Sequence, residues 1–301
     1  MSIRRNIDID RLVKGALQVP GVRAKNIILN RYCLGVSKKR TLADLGQEYN
    51  LTRERVRQIE AATLKAIRKR LEEDEEALLL LGELNAYLDN AGHIKRADLL
   101  AHDFAILLKD KHDEQELHHK LHFLANVMGE PYMSEANEEW HPLWSNQDEA
   151  RQTAKALVLY LLKVKDQDFE KFLKTANSKF NLPDTLIIDH ISISKKFSVG
   201  PYGDLGADHW SAVNPKTVRD KAHLVLVKEH RPLHFREIAE LVNKMSLKER
   251  APATVHNELI KDPRFVLVGR GTYALNAWNF IRFLVAAAPS GDCNRFSGMV
   301  A

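Results

Sequence analysis

Two short helical patterns separated by a tight turn, within residues 41–71, constrain the fold more than any other part of the chain. Thr41 is placed to cap the first helix, and Asp44 at the third helical position completes a capping box. Asn50 marks the turn, and Thr52 is placed to cap a second, longer helix. A short helix, a tight turn and a longer helix are typical of a helix-turn-helix. The sequence therefore predicts this unit near the amino terminus.

The second helix separates into two faces when its residues are placed about 100° apart. The predicted core stripe consists of Val56, Ile59, Thr63, Ala66 and Ile67. The opposite, outward face consists of Glu54, Arg57, Gln58, Ala61, Lys65 and Arg68. Arg55 and Glu60 lie outside that outward face, and we interpret them as solvated surface side chains.

Charge is strongly segregated along the chain. Residues 1–70 hold 17 basic and 6 acidic side chains, a net charge of +11. Residues 71–150 hold 5 basic and 19 acidic side chains, a net charge of −14, and residues 151–301 have a net charge of +8. Basic segments attract polyanions and make binding salt-dependent. The acidic middle is therefore the part least suited to contact nucleic acid.

Three tryptophans, Trp144, Trp210 and Trp278, lie 66 and 68 residues apart. Each closes a segment in which helical patterns are followed by a short extended pair, the order expected of a winged helix. The hairpin is clearest in the third segment, where FVLV and TYAL flank the turn at residues 269–271. For the first two segments, a coincidental spacing of the tryptophans stays open as the alternative.

These patterns predict a mainly α protein, with an N-terminal helix-turn-helix bundle followed by tandem winged-helix-like modules, each α-helical with a short β-hairpin. The predicted domains are residues 1–72, an acidic module at 73–145, a second module at 146–212, a third at 213–279 and a tail at 280–301.

Residues 40–70, RTLADLGQEYNLTRERVRQIEAATLKAIRKR, closely resemble region 4 of sigma-70 family transcription initiation factors, and the preceding RAKNIILNRYCLG extends the resemblance over about residues 23–71. In that family the recognition helix enters the major groove of the −35 promoter element, and the preceding half packs on the flap of the polymerase beta subunit. The resemblance implies base or backbone contacts for Arg53, Glu54, Arg57 and Gln58. It implies phosphate contacts for Thr41 and Leu42, to which the charges of Lys65, Arg68 and Lys69 add candidate phosphate anchors.

Residues 214–278 are similar to the HARE-type winged helix-turn-helix, a module also found in the delta subunit of bacterial RNA polymerase and attached to some restriction and chromatin proteins. Its expected core is Leu224, Leu226, Leu233, Phe235, Ile238, Leu241, Val255, Leu259, Phe265 and Val268. Its expected nucleic-acid or partner face is His256, Asn257, Lys261, Arg264 and Arg270. Double-stranded DNA and a protein both stay open as its partner.

The combination predicts a DNA-binding transcription regulator, with double-stranded DNA as partner and the RNA polymerase core, through its beta flap, as a candidate second partner. Only about twenty unmatched residues precede the region 4 resemblance, so we expect no region 2 and no initiation by this chain alone. One alternative is a polymerase-associated protein that docks without reading DNA. Another is an accessory factor of DNA restriction or modification.

The sequence shows no motif for catalysis, for a cofactor or for a small-molecule substrate: it lacks GxxxxGK[ST], HExxH and a GxGxxG after a strand. PDTLIIDH at residues 183–190 is an incomplete nuclease motif. We interpret the histidine cluster His112, His118, His119 and His122 as a solvated helix face rather than a metal site. Cys33 and Cys293 are interpreted as inert thiols.

The first twenty residues contain no continuous apolar run, which argues against a secretory signal. The apolar run at residues 283–288 is too short to span a bilayer. We therefore expect an enzymatically inactive, cytoplasmic protein of the bacterial nucleoid that binds no metal and no membrane.

Overall fold

The polypeptide divides into two units, Met1–Ser198 (unit 1) and Val199–Ala301 (unit 2). The computed structural model describes residues 7–19, 21–36, 38–108, 113–164, 167–246 and 248–278. The predicted tail at 280–301, with Cys293 and the apolar run at 283–288, lies outside the described residues, as does His112. No described helix is long and apolar enough to cross a membrane.

Unit 1 begins with four helices, which we call the head: α1 Ile9–Ala16, α2 Val22–Tyr32, α3 Leu42–Tyr49 and α4 Arg53–Leu71. Helix α1 was not anticipated from the sequence. Asp8 caps it by accepting a hydrogen bond from the Arg11 N–H at 2.9 Å. Its four apolar side chains are buried because they pack into the core that the head shares with the following residues.

The acidic segment, residues 73–145, contains α5 Glu75–Asn90, β1 Ile94–Arg96, α6 Ala97–Leu108, α7 Glu114–Met128, β2 Tyr132–Ser134 and β3 Leu143–Ser145. Its strands form an antiparallel sheet in the order β1-β3-β2. The next residues form α8 Glu149–Leu161, α9 Phe169–Phe180, α10 Asp184–Ser192, β4 Phe197–Val199 and β5 Leu205–Ala207, with β4 and β5 in a two-stranded sheet.

The last described elements are α11 Val218–Glu229, β6 Leu233–His234, α12 Phe235–Lys244, α13 Pro252–Lys261, β7 Phe265–Gly269 and β8 Thr272–Leu275. Their strand order is β6-β8-β7. The acidic segment and this segment therefore share one order of helices and strands and one sheet topology. The predicted fold class, mainly α with winged-helix-like modules, is confirmed.

The head and the acidic segment share one hydrophobic core. Side chains of α1, α2, α4, α5, α6 and α7 all contribute to it. The Tyr32 ring packs edge-on against Phe123 at 5.3 Å, and the Tyr32 hydroxyl donates to Asn126 Oδ1 at 2.6 Å. The buried Lys120 ammonium donates to Asp10 Oδ1 at 2.6 Å. The change from basic to acidic sequence therefore falls inside a continuous core, and the predicted domain boundaries stay predictions.

The tryptophans that close the three segments contribute to the packing. Trp144 and Trp210 are fully buried, and Trp278 is half-buried against the core of unit 2. Gly206 lies directly against the Trp210 ring, so that a Cβ atom at this position would overlap the ring. Glycine at residue 206 therefore allows the backbone to approach the indole closely.

The core predicted for the third segment is largely confirmed. Its buried members are Leu224, Leu226, Leu233, Ile238, Val255, Leu259 and Phe265, and Phe235 with Leu241 packs at the edge of the same core. The prediction is wrong for Val268, which is half-buried outside the core cluster. Val225 is fully buried and was missed, because α11 is apolar on more than one face.

Candidate nucleic-acid interface

The helix-turn-helix is formed by α3 and α4, with the caps that the sequence predicts. The Thr41 hydroxyl accepts from the Asp44 N–H at 3.1 Å, and the Thr41 N–H donates to the Asp44 carboxylate at 2.9 Å. Asn50 ends α3 in the left-handed conformation, with φ of 53°. The Thr52 hydroxyl accepts from the Arg55 N–H at 3.1 Å and begins α4. These bonds fix where both helices start.

A small apolar cluster holds the two helices together. Ile27, Leu45 and Val56 are fully buried at its centre, and Leu42, Tyr49, Leu51 and Ile59 pack around them. Farther along α4, Thr63 and Ile67 are buried as predicted. The prediction is wrong for Ala66, which is exposed because it lies at the edge of the stripe. Leu64 contacts the shared core of unit 1 instead.

Gly46 permits the close approach of α3 to the turn. A Cβ atom at this position would lie 2.7 Å from the Leu51 carbonyl oxygen, which is backbone and cannot rotate away. We expect Gly46→Ala to lower the free energy of unfolding by about 1–3 kcal/mol through overpacking. Urea denaturation of the full chain measures the change.

Gly82 in α5 supplies the matched control, because a Cβ atom there would meet no atom within 4 Å. Gly82→Ala should raise stability by up to about 1 kcal/mol through helix propensity. Equal stabilisation by the two alanines would show that residue 46 is not sterically confined.

Four polar side chains occupy the first two turns of α4 and define what we call the reading face: Arg53, Glu54, Arg57 and Gln58. All four are exposed. The Arg57 guanidinium donates from Nε and Nη2 to the two Glu54 carboxylate oxygens at 2.8 and 2.7 Å. These bonds lower the pKa of Glu54 and raise the pKa of Arg57. Gln58 Nε2 donates to the same carboxylate at 3.4 Å.

The predicted phosphate anchors follow the reading face along α4. Within the described part of the chain, Arg53, Lys65 and Lys69 have no hydrogen-bonding or ionic partner. Arg68 is paired with Glu72 at 2.9 Å, an exposed contact between successive turns. The three unpaired cations therefore offer their full charge to an anion, and Arg68 offers its charge in competition with Glu72.

Thr41 and Leu42 lie at the amino terminus of α3. The Leu42 side chain packs on the apolar cluster of the head, and the Thr41 hydroxyl already accepts a hydrogen bond. A phosphate contact at these positions would therefore use backbone N–H groups at the start of the helix, where the helix dipole favours anions. Both contacts stay predictions.

The structure separates the two side chains that were interpreted as solvated. Arg55 is exposed and donates to Gln58 Oε1 at 3.1 Å, as an exposed surface residue does. The interpretation of Glu60 is wrong, because its side chain is only 13% exposed and pairs with Arg31 of α2 at 3.0 Å. The ion pair lies between helices, which periodicity within α4 alone does not reveal.

The residues predicted for a second face, in unit 2, are in different environments. His256 is half-buried and stacks on Phe235 with ring centroids 4.4 Å apart. Arg264 is engaged by Asp262 at 2.7 Å and by Asp220 at 3.1 Å. Asn257, Lys261 and Arg270 are exposed, and Lys261 lies 3.6 Å from Glu258. The readily available polar groups are therefore those of residues 257, 261 and 270.

The described histidines of the cluster do not form a solvated face. The rings of His118 and His122 are stacked 6.3 Å apart, and each meets the buried Trp144 ring edge-on. Burial lowers the pKa of His118 and lowers the pKa of His122 to about 4. The solvated interpretation is therefore wrong for these two residues, which are part of the packing of α7.

Two family models match the chain. Residues 22–69 match sigma-70 region 4, and residues 216–278 match HARE-HTH, a helix-turn-helix domain described for ASXL and restriction endonuclease proteins. Over 56 residues, the chain is 39% identical to the RNA polymerase sigma factor SigA1 of Synechococcus elongatus. That alignment covers 19% of this chain and only 14% of the sigma factor. No solved structure matches the chain.

The matched segments coincide with the two clearest helix-turn-helix units, α2–α4 and α11–β8. Both family models describe helix-turn-helix domains and neither describes a catalytic domain. Together with the exposed cations of α4, they indicate a DNA-binding, transcription-related protein.

Proposed function

We propose that this protein is a transcription regulator that binds promoter-like, −35-type duplex DNA through the reading face of α4. The observation that carries the proposal is the exposure of Arg53, Glu54, Arg57 and Gln58 together on the first turns of a capped recognition helix. The sigma factor alignment is confined to 14% of that protein, which supports a regulator rather than a complete sigma factor.

The side chains of the reading face suit base recognition in the major groove. Arginine can donate to O6 and N7 of guanine, glutamine can pair with adenine, and glutamate can accept from N4 of cytosine, each for about 1–3 kcal/mol of discrimination. In the free protein Arg57 and Glu54 bind each other. Because both are more than half exposed, water competes for these bonds, and DNA has only an exposed ion pair to replace.

Binding should weaken steeply as salt concentration rises. If Arg53, Lys65, Arg68 and Lys69 neutralise phosphates, a plot of log affinity against log salt should have a slope of about −3 to −4. Fluorescence anisotropy with a labelled duplex over a range of salt concentrations measures it. The double variant Lys65→Ala with Lys69→Ala should make the slope shallower by about 2. An affinity that does not respond to salt would contradict a DNA role.

The function itself is tested by selecting bound sequences from random duplex DNA. The full chain should be used, because residues 1–75 alone would expose Ile28, Ile67 and Leu71, which the acidic segment helps to cover. We expect enrichment of a short motif related to −35 elements. Recovery of random sequence after repeated rounds would overturn the proposal of base reading.

A second candidate function is docking on a protein through unit 2, with the RNA polymerase core as the first partner to test. Ile260 and Leu267 favour it, because these apolar side chains are 64% and 59% exposed on α13 and β7. In the head, by contrast, the face of α2 that contains Tyr32 is covered by α7. Retention of core polymerase by the full chain, and its loss in Ile260→Ser with Leu267→Ser, would support this candidate.

An accessory role in DNA restriction or modification rests only on the description of the matched HARE-HTH family. We further infer a cytoplasmic, nucleoid-associated protein without catalytic activity or a small-molecule substrate. This inference follows from the two helix-turn-helix matches, since both describe DNA-binding rather than enzymatic domains.

A further inference from the structure

We propose that Arg31 and Glu60 form a positioning pair that sets the orientation of α4 for DNA recognition, an inference that rests on the proposed function. Arg31 lies in the last turn of α2, and Glu60 lies in α4, two residues beyond the reading face. Arg31 Nε donates to Glu60 Oε1 at 3.0 Å. The two side chains are only 24% and 13% exposed. The pair is thus shielded from water far better than Glu54 and Arg57.

Arg31 also connects α4 to the start of α3. Its Nη1 donates to the Arg40 carbonyl oxygen at 3.0 Å, and the Arg40 N–H donates to the Asn30 carbonyl at 3.1 Å. The Arg40 guanidinium contacts the Glu48 carboxylate. A single run of polar contacts therefore leads from α4 through α2 and the residue 40 backbone to α3.

The apolar contacts below the helix-turn-helix cannot supply this orientation alone. Three fully buried side chains, Ile27, Leu45 and Val56, form the centre of that cluster. Hydrophobic attraction is non-directional, so a cluster of this size permits α4 to rotate or slide by small amounts. A hydrogen-bonded arginine–carboxylate pair is directional, because both bonded groups are planar. Glu60 therefore fixes the rotation of α4 about its own axis.

That rotation matters more for base contacts than for phosphate contacts. Groups that recognise a ligand must be held within about 0.5 Å and 10–20° of the productive geometry. Arg57 and Gln58 precede Glu60 by three and two residues, so a rotation of α4 at Glu60 carries their side chains with it. Flexible lysines such as Lys65 and Lys69 can adjust to the phosphates.

The test compares full-length Glu60→Gln with the wild type. Selected and scrambled duplexes are titrated at a temperature where circular dichroism shows both proteins folded. We expect about tenfold weaker binding to the selected duplex, as loss of a charged hydrogen bond predicts. Binding to the scrambled duplex should be unchanged or slightly stronger, because a negative charge has been removed. Glu73→Gln, an exposed change of the same charge, should not weaken either.

Hydrogen exchange of the free proteins provides a readout independent of DNA. Protection of the amides of residues 56–62 should fall in Glu60→Gln while that of β7 and β8 stays unchanged. The exchanged pair, Arg31→Glu with Glu60→Arg, should restore protection and selected-duplex affinity. If Glu60→Gln lowers only the unfolding temperature, with amide protection and selectivity intact below it, the positioning role is wrong. If the wild type itself selects no sequence, the proposed function fails, and the exchange data alone decide whether Glu60 orients α4.

Discussion

Arg57→Ala combined with Gln58→Ala should abolish most of the sequence preference of the full chain while leaving a salt-dependent affinity for any duplex. Each side chain is exposed in the first two turns of α4 and is suited to read a base edge. Losing two such contacts should reduce discrimination by about 2–6 kcal/mol in total. Competition titrations of the selected duplex against a scrambled one measure this, with folding checked by circular dichroism.

Arg55→Ala is the matched control for that double variant. Arg55 is exposed on the same helix and carries the same charge as Arg57, but it lies off the reading face. We expect a weaker affinity for all duplexes and an unchanged base preference. If the double variant behaves in the same way as Arg55→Ala, then α4 contributes charge but does not read sequence.

Acid should destabilise unit 1 through His122. Burial, with the neighbouring His118, lowers the pKa of His122 to about 4 in the folded chain, from 6.5 for a free imidazole. Between these values the unfolded chain binds more protons, so the stabilisation is complete above pH 6.5 and is lost as the pH falls towards 4. We expect this histidine to remove about 2 kcal/mol between pH 7.5 and pH 5.

Urea unfolding of wild type and His122→Gln at both pH values isolates this effect. The glutamine variant should be less stable at pH 7.5, since a ring that contacts Tyr32 and Trp144 is lost, but its stability should change less with pH. His102→Gln is the control of opposite sign. The Glu114 carboxylate raises the pKa of His102, so His102 contributes stability at low pH that is lost as the pH rises. An identical pH response of wild type and His122→Gln would refute the assignment.

The elements that could be predicted were those specified by neighbouring residues. The caps of Thr41 and Thr52 depend on hydrogen bonds to N–H groups three residues away. The hairpin of β7 and β8 follows from two apolar runs around a glycine turn. The exposure of Arg53, Arg57 and Gln58 follows from the period of the α-helix. These features require no knowledge of the rest of the fold.

The errors share a different origin. Glu60 is covered because Arg31, 29 residues earlier, lies on a neighbouring helix. His122 is buried because α7 packs against Tyr32, which lies on α2. Helix α1 packs beside residues more than sixty positions away, where Arg11 pairs with Asp74 and Glu76. Each outcome depends on a contact between distant segments, which the periodicity of a single helix does not encode.

Local hydrogen bonding and helical periodicity were thus sufficient to specify a capped recognition helix with four polar side chains on one face. They could not specify which faces of α2, α4 and α7 are covered, because burial requires a partner surface and that surface comes from elsewhere in the chain. Packing of the head on the acidic segment leaves the amino-terminal half of α4 exposed and encloses Ile67 and Leu71 in its carboxyl-terminal half. The position of the reading face is therefore a consequence of long-range packing, whereas its chemistry is a property of residues 53–58 alone.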